Sequence, residues 1–311
     1  MSKLRAALEE YLALRRSLGF ALCYHGRALH NFVSFLEQQG LSCITTESAL
    51  RWAKQPVGAQ PPHWAFRLGM VRNFAQYRSA TDPRTEVPPQ GLLPYHYRRQ
   101  PPYIYSDREI VQLLRAAKRL PSRRGLRPET YSTLLGLLAV TGLRISEALA
   151  LNRDDVDLTE DVLTIRQTKC RKARLVPIHP TTRRRLREYA RKRDQVYPHP
   201  NTPSFLLSDQ VTRLTQCAVR WVFVRMSRQI GLRGPLDSRG PRLHDLRHRF
   251  AVRTLLGWYR AGVDVEQHLP ELATYLGHAH VTDTYWYLTG TPELLRLAAL
   301  RLDQPKGDGS L

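Results

Sequence analysis

The sequence predicts a mainly α-helical protein with one small antiparallel β-sheet, divided into two domains. Its 311 residues are enough for two domains of about 150 residues each. Apolar residues recur at helical spacing through most of the chain, and only one pair of neighbouring segments is rich in β-forming residues. An apolar share of 42% is sufficient for each domain to bury a core.

The first domain is predicted over residues 1–85 and is helical throughout. Leucine and aromatic side chains recur there every three or four residues, which is the pattern of amphipathic helices. The expected helices cover residues 3–18 and 26–38, Thr45 or Thr46 to about Lys54, and Pro62 to Tyr77. Gly19 marks the turn between the first two.

Residues 86–105 are predicted to form a linker between the domains. Proline, glycine and arginine dominate this part of the sequence, and proline-rich segments are extended. The second domain, residues 106–311, opens with Ser106 and Glu109. These two residues have the spacing of a capping box, in which each side chain binds a free backbone amide at the start of a helix.

The second domain is predicted to contain helices and one β-hairpin. Residues 161–168 and 173–178 are rich in β-formers, and the cationic turn 169–172 between them indicates a hairpin. Helices are expected before the hairpin over residues 107–120, 131–140 and 145–151, and after it over about 181–194, 215–230, 244–257, 268–276 and 292–302.

A large positive charge favours a polyanionic partner. The chain carries 48 Lys and Arg against 27 Asp and Glu, a formal charge of +21. Residues 1–85 contribute +6 (11 basic, 5 acidic) and residues 86–311 contribute +15 (37 basic, 22 acidic). A single basic tail is therefore not the source, and both domains are expected to face nucleic acid rather than a lipid surface.

Neither a membrane segment nor a metal centre is expected. No stretch approaches the ~18 uninterrupted apolar residues of a spanning helix, and the charged N-terminus lacks the apolar core of a signal peptide. These features predict a soluble cytoplasmic protein. The cysteines are far apart, without a C-x-x-C pair or histidines at zinc spacing, so no structural metal or disulfide framework is predicted. They are Cys23, Cys43, Cys170 and Cys217.

Four separated segments of the second domain carry residues suited to phosphate chemistry. They read TGLRISEAL at 141–149, RQTKCRKARLVPI at 166–178, HDLRHRF at 244–250 and YLGHAHVTDTYWYL at 275–288. Taken singly, each has an ordinary interpretation as surface charge or packed aromatic residues. Together, two arginines, a lysine, two histidines and a tyrosine can transfer a phosphoryl group to the tyrosine without carboxylate metal ligands.

The spacing of the cationic residues supports a shared anion. Arg144 follows a glycine at a helix break, where its side chain can enter a cleft. His244 and Arg247 are three residues apart on one helical face, so an imidazole and a guanidinium can converge. Lys169 lies at the predicted hairpin tip, where its flexible stem suits phosphate contact or proton donation.

These segments resemble the tyrosine recombinase (phage integrase) family. The resemblance covers the chain from about Ser106 to its end, with four motifs in the family's order. The helical residues 1–85 look like the family's core-binding, SAM-like domain on weaker grounds. The resemblance implies a catalytic domain at 106–311 in a site-specific recombinase of mobile DNA. Such an enzyme cleaves and rejoins double-stranded DNA through a 3′-phosphotyrosyl intermediate, with no metal, ATP or other cofactor.

The resemblance also assigns roles to residues. The implied catalytic set is Arg144, Lys169, His244, Arg247, His278 and Tyr287. The two arginines would clamp the scissile phosphate, and the lysine would protonate the leaving 5′-oxygen. His244 would assist proton transfer at the nucleophile, Tyr287, and His278 would donate a hydrogen bond to the phosphate. Glu147 would support the first arginine.

Several alternatives remain at this point. Tyr285 competes with Tyr287 as nucleophile, although Tyr287 has the family spacing. The last helix either packs within the chain or docks on a neighbour in the homo-tetramer that exchange between two duplexes implies, and accessory recombination proteins are compatible partners. A type IB topoisomerase or a non-catalytic DNA-binding protein would share the scaffold. The Leu-Gly-His motif argues against the first, and retention of the whole catalytic set argues against the second.

Overall fold

The computed structural model describes residues 2–20, 22–95, 101–166, 173–237, 239–288 and 292–302. Within these ranges the backbone is mainly helical with a three-stranded antiparallel sheet, which confirms the predicted fold class. The chain forms two compact units, Met1–Gln100 and Pro101–Leu311. No helix in the described ranges has both the length and the apolar character needed to cross a membrane.

The first unit consists of helices packed around one core. They are α1 (Lys3–Ser17), α2 (Cys23–Gln38), α3 (Thr46–Lys54) and α4 (Pro61–Ser79). The apolar faces of these helices meet around the fully buried rings of Phe32, Trp52 and Phe74. Thr45 caps α3 by accepting a hydrogen bond from the amide of Ser48, so the predicted start of this helix is confirmed.

Part of the predicted linker packs on the first unit. The amide of Glu86 donates to the carbonyl of Ile44 at 2.8 Å, and Arg72 Nε donates to the carbonyl of Pro88 at 2.6 Å. Leu93 is buried against the same core. This segment is therefore not a free spacer, because its carbonyls and apolar side chains find partners on the helical unit.

The second unit combines the sheet with the remaining helices. The helices are α5 (Asp107–Lys118), α6 (Leu126–Thr141), α7 (Ile145–Ala150), α8 (Pro180–Val196), α9 (Gln216–Gln229), α10 (Leu243–Arg260), α11 (Val265–Leu276), α12 (Thr282–Tyr285) and α13 (Pro292–Leu302). The strands are β1 (Val156–Asp157), β2 (Val162–Ile165) and β3 (Arg174–Pro177), in the order β1-β2-β3. Helix α6 is apolar on most sides and packs against α5, α8 and α10, which makes it the centre of the unit.

The second unit differs from the sequence prediction in several places, and the sequence pattern does not predict α12. Helix α6 begins at Leu126 rather than at 131, because Gly125 turns the chain at φ 76° and Pro128 is compatible with the first helical turn. Helix α11 begins at Val265 because Asp264 accepts hydrogen bonds from two amides of its first turn. The predicted hairpin gains β1, a two-residue strand that is too short to produce a recognisable pattern.

The last helix, α13, packs within the chain. Leu294 is only 1% exposed and lies in a cluster with Val252 and Leu255 of α10. Arg260 of α10 also forms an ion pair with Glu293. Within the single chain, the apolar stripe of α13 is therefore partly covered by α10.

Candidate active site

Arg247 is held rigidly in the interior of the second unit. It is 2% exposed, and its Nη1 and Nη2 atoms donate to the carbonyls of Gly142 and Leu276, both at 2.8 Å. These carbonyls lie at the C-terminal ends of α6 and α11. Arg247 on α10 therefore links this helix to the C-terminal ends of α6 and α11. Carbonyls at a helix end have no amide partner within their own helix, and the guanidinium supplies their hydrogen bonds.

Arg144 reaches the same end of α11 from another side. It is the N-cap residue of α7, and its Nη2 donates to the carbonyl of Gly277 at 2.9 Å. Its Nη1 donates to Glu147 Oε1 at 2.8 Å, and its backbone amide donates to Glu147 Oε2 at 2.9 Å. Arg144 and Arg247 therefore bind the carbonyls of consecutive residues, Gly277 and Leu276, and the structure brings the two predicted arginines together.

The electrostatics of this arginine pair favour a bound anion. Burial lowers the pKa of Arg247 below its usual range, and the charge of Arg144 acts in the same direction, although an interaction with Tyr287 opposes both. Two guanidinium groups that repel each other in a partly dehydrated site are stabilised when an anion binds between them. The geometry therefore suits a phosphate whose charge increases during reaction.

Tyr287 lies beside these cations and is almost fully buried, with 4% of its surface exposed. Its ring stacks on that of His278, with centroids 5.8 Å apart and planes 18° from parallel. His278 Nδ1 is 2.7 Å from Thr284 Oγ1. Burial lowers the pKa of His278 to about 4, with further lowering by Arg247 and Arg144, so this imidazole is neutral near pH 7.

His244 lies one helical turn before another histidine on α10. The ring of His248 contacts both His244 and Tyr287 edge-on, with centroid distances of 4.9 and 5.3 Å. His244 is exposed on one side, yet its partial burial lowers the pKa of the imidazole. The charge of Arg247 lowers this pKa further. His248 was not predicted as a site residue, although its position four residues after His244 is a helical-face signal.

Arg174 of β3 is a second residue that sequence reasoning missed. Its Nη1 and Nη2 atoms donate to the two oxygens of Glu147 at 3.1 and 2.9 Å. Burial alone would raise the pKa of Glu147, but the hydrogen bonds and charges of Arg174 and Arg144 outweigh burial and lower it. Arg174 shares one face of β3 with buried Val176, and an arginine on the inward face of a strand was the available signal.

Lys169 and Tyr285 are the two remaining residues that the sequence analysis considered for the site. Lys169, with its neighbour Cys170, lies outside the described residues, and the described pairing of β2 with β3 ends at Ile165 and Arg174. Tyr285, the alternative nucleophile, is 50% exposed on α12. Tyr287, by contrast, contacts His278 and interacts with Arg247.

The chain is similar to known families and proteins. The profile of the phage integrase family matches residues 105–293, which is more than half of the chain. The chain belongs to the phage integrase family. The integrase/recombinase-like protein y4rB of Sinorhizobium fredii (strain NGR234) is 51% identical over 98% of both chains. The tyrosine recombinase XerC of Chlamydia caviae is 30% identical over 71% of this chain and 65% of its own length.

Solved structures share the fold of this family member. The Tn1549 transposon integrase in complex with a circular intermediate DNA has a TM-score of 0.64 at 17% identity, covering 95% of this chain and 99% of that one. The XerA recombinase has a TM-score of 0.52 at 20% identity, covering 97% and 99%. The predicted family is confirmed, and the chain is a tyrosine-type site-specific recombinase. The topoisomerase and binding-only alternatives are not favoured.

Proposed function

We propose that the chain cleaves and rejoins double-stranded DNA through a 3′-phosphotyrosyl bond to Tyr287. The observation that carries this proposal is the position of Tyr287, whose ring is packed against His278 and whose hydroxyl interacts with Arg247. A tyrosine is a weak nucleophile at its ordinary pKa of about 10, so nearby cations are needed to stabilise the phenolate that forms during attack. Arg247, which is buried, and Arg144, which is half-buried, supply them.

Each remaining residue has a place in a single displacement at phosphorus. The Tyr287 oxygen bonds to phosphorus, the bond from phosphorus to the 5′-oxygen breaks, and Arg144 and Arg247 stabilise the charge on the non-bridging oxygens. His244, neutral because its pKa is lowered, accepts the tyrosine proton. Lys169 donates a proton to the leaving 5′-oxygen.

His278 would donate a hydrogen bond to the phosphate, and the tyrosyl phosphodiester would conserve the energy needed for rejoining. With Nδ1 of His278 engaged by Thr284, Nε2 is the nitrogen left for the phosphate. The tyrosyl phosphodiester retains the bond energy of the DNA backbone. Rejoining is therefore the same displacement in reverse, with the 5′-hydroxyl as nucleophile, and we propose no ATP, metal or other cofactor.

The rest of the molecule would hold the DNA. We propose that residues 1–85 form a helical DNA-binding domain and residues 106–311 the catalytic domain, in a cytoplasmic protein that acts as a homo-tetramer on two duplexes. A lambda integrase tetramer bound to a Holliday junction shares this fold, with a TM-score of 0.60. The charge of +21, spread over both halves of the chain, also supports a long duplex as partner.

The test uses a DNA duplex nicked near the cleavage site, so that the covalent complex is trapped. Its sequence would come from the DNA flanking the gene. Incubation in EDTA should give a protein–DNA adduct that survives denaturing electrophoresis. Tyr287→Phe should abolish the adduct, because phenylalanine has no nucleophilic oxygen, while the matched variant Tyr285→Phe should retain it. An adduct that persists in Tyr287→Phe would falsify the assignment of the nucleophile.

A further inference from the structure

Arg174 connects three segments that carry proposed site residues. Its side chain is only 10% exposed. While Nη1 and Nη2 bind Glu147 on α7, Nε donates to the carbonyl of Tyr275 at 2.9 Å. Tyr275 lies three residues before His278, and β3 is the strand that leads out of the hairpin. The bonds of Arg174 therefore fix β3, α7 and the end of α11 against one another.

The charges around Glu147 show what Arg174 contributes. The Glu147 carboxylate is 1% exposed and is shared by two arginines, Arg144 and Arg174. One negative and two positive charges leave a net charge of +1 in the cluster. Without Arg174 the carboxylate would be left with Arg144 alone, and the net charge would be zero. A buried carboxylate in that position would neutralise the guanidinium that faces the phosphate.

The backbone at Gly277 lies close to the guanidinium of Arg174. Gly277 has φ 71°, and a Cβ atom built there would lie 2.6 Å from Arg174 Nη1. Only glycine allows the guanidinium to pack against this turn, whose carbonyl accepts the hydrogen bond from Arg144. The glycine before His278 thus makes room for Arg174 as well as ending a helix.

We propose that Arg174 is a positioning residue for DNA cleavage, which neutralises Glu147 so that the charge of Arg144 remains available to the scissile phosphate. Its bond to the Tyr275 carbonyl also sets the position of His278. This inference rests on the proposed function. It extends that function to a residue that does not touch the DNA and acts through Arg144.

A set of variants separates this role from simple packing. The rate of adduct formation is measured in single turnover at saturating nicked DNA, alongside DNA affinity and urea unfolding. In Arg174→Met the rate should fall roughly 10- to 100-fold, the loss that is typical when hydrogen-bond partners that orient metal ligands are removed from other proteins. Affinity for DNA should change far less than the rate, because the Arg174 side chain is only 10% exposed and its nitrogens are already bound to Glu147 and to the Tyr275 carbonyl.

The double variant Glu147→Gln/Arg174→Met tests the charge balance directly. It restores the net charge of +1, so it should react faster than Arg174→Met although it lacks more of the native hydrogen bonds. A packing role predicts the opposite order. Arg183→Met is the matched control, because Arg183 pairs with Asp161 outside this cluster, and its rate should equal that of the unaltered protein.

Each outcome bears on the proposal. A rate in Arg174→Met equal to that of the unaltered protein, or a double variant no faster than the single one, would overturn it. If Arg174→Met does not fold, Arg174→Lys and Arg174→Gln are compared instead, since both lose native hydrogen bonds but only lysine keeps the charge. Arg174→Lys should react faster than Arg174→Gln, and equal rates would also overturn the proposal. Failure of the proposed function is recognised separately, as the absence of a Tyr287-dependent adduct in the unaltered protein.

Discussion

At the scale of single residues, two glycines set the geometry of the arginine pair. Gly142 ends α6 and Gly277 ends α11, each in the left-handed region of backbone space. Their carbonyls accept hydrogen bonds from Arg247 and Arg144 respectively. A left-handed C-cap turns the chain sharply. Each glycine therefore ends its helix and also points its carbonyl towards a guanidinium.

Gly142→Ala should destabilise the protein by about 1–3 kcal/mol. The new Cβ would lie 2.6 Å from a ring carbon of Phe250, and alanine is also strained at φ 61°. The matched control is Gly136→Ala in the same helix, where the Cβ would meet Leu114 at an ordinary 3.8 Å. That control should be neutral or stabilising, since alanine favours helix. Urea unfolding of the two variants makes the comparison, and equal stabilities would contradict it.

His278 should make stability depend on pH. Its pKa is lowered from about 6.5 to about 4 by burial and then by Arg247, Arg144 and Arg174, with Asp283 opposing. Between these pH values the unfolded chain binds a proton that the folded chain excludes, so the free energy of unfolding should decrease as pH falls from 6.5 towards 4.

The part of this slope due to His278 is found by substitution. In His278→Asn the decrease between pH 6.5 and 4 should be smaller than in the unaltered protein, because the buried titrating group is gone. His280→Asn, at an exposed position two residues away, serves as the control and should keep the full slope. Identical slopes in His278→Asn and the unaltered protein would show that the imidazole is not the group responsible.

At the scale of elements, local signals in the sequence were enough to place most helices. The capping box of Ser106 and Glu109 was predicted from spacing alone and is present, with both reciprocal hydrogen bonds formed. The apolar helix α6 was also recognised, because a helix that is apolar on most sides is typical of a central position. Patterns of this kind depend on residues close in sequence.

Elements and residues defined by distant contacts were harder to predict. The proposed role of Arg174 depends on Glu147, 27 residues earlier, and on the Tyr275 carbonyl, 101 residues later. No local pattern encodes such a set of partners. The same applies to the linker, where Arg72 binds a carbonyl 16 residues away and turns a proline-rich segment into part of a folded unit. The proposed roles of Arg144, Arg247 and Tyr287 came from the resemblance to the family, because spacing alone left each with an ordinary alternative.

At the scale of the whole molecule, the basic residues divide by burial into two groups. Arg247 and Arg193 are 2% and 3% exposed and bind internal carbonyls, so they are part of the folded framework. Exposed residues such as Arg184 and Arg191 on α8 are available to solvent and to a polyanion. Salt screens exposed charges much more strongly than buried ones. Binding and cleavage should therefore respond differently to ionic strength.

DNA affinity should fall steeply with salt, whereas the cleavage rate of DNA that is already bound should not. A protein with roughly 6–10 phosphate contacts loses about 10³- to 10⁵-fold in affinity between 50 and 200 mM salt. Fluorescence anisotropy with labelled duplex measures this slope, and single-turnover adduct formation at saturating protein measures the rate. Because Arg144 and Arg247 are fixed by carbonyls and a buried carboxylate, the rate should stay within about threefold over the same range. A cleavage rate that fell in parallel with affinity would mean that exposed, screened charges act on the phosphate, and Arg144 and Arg247 would lose their proposed role.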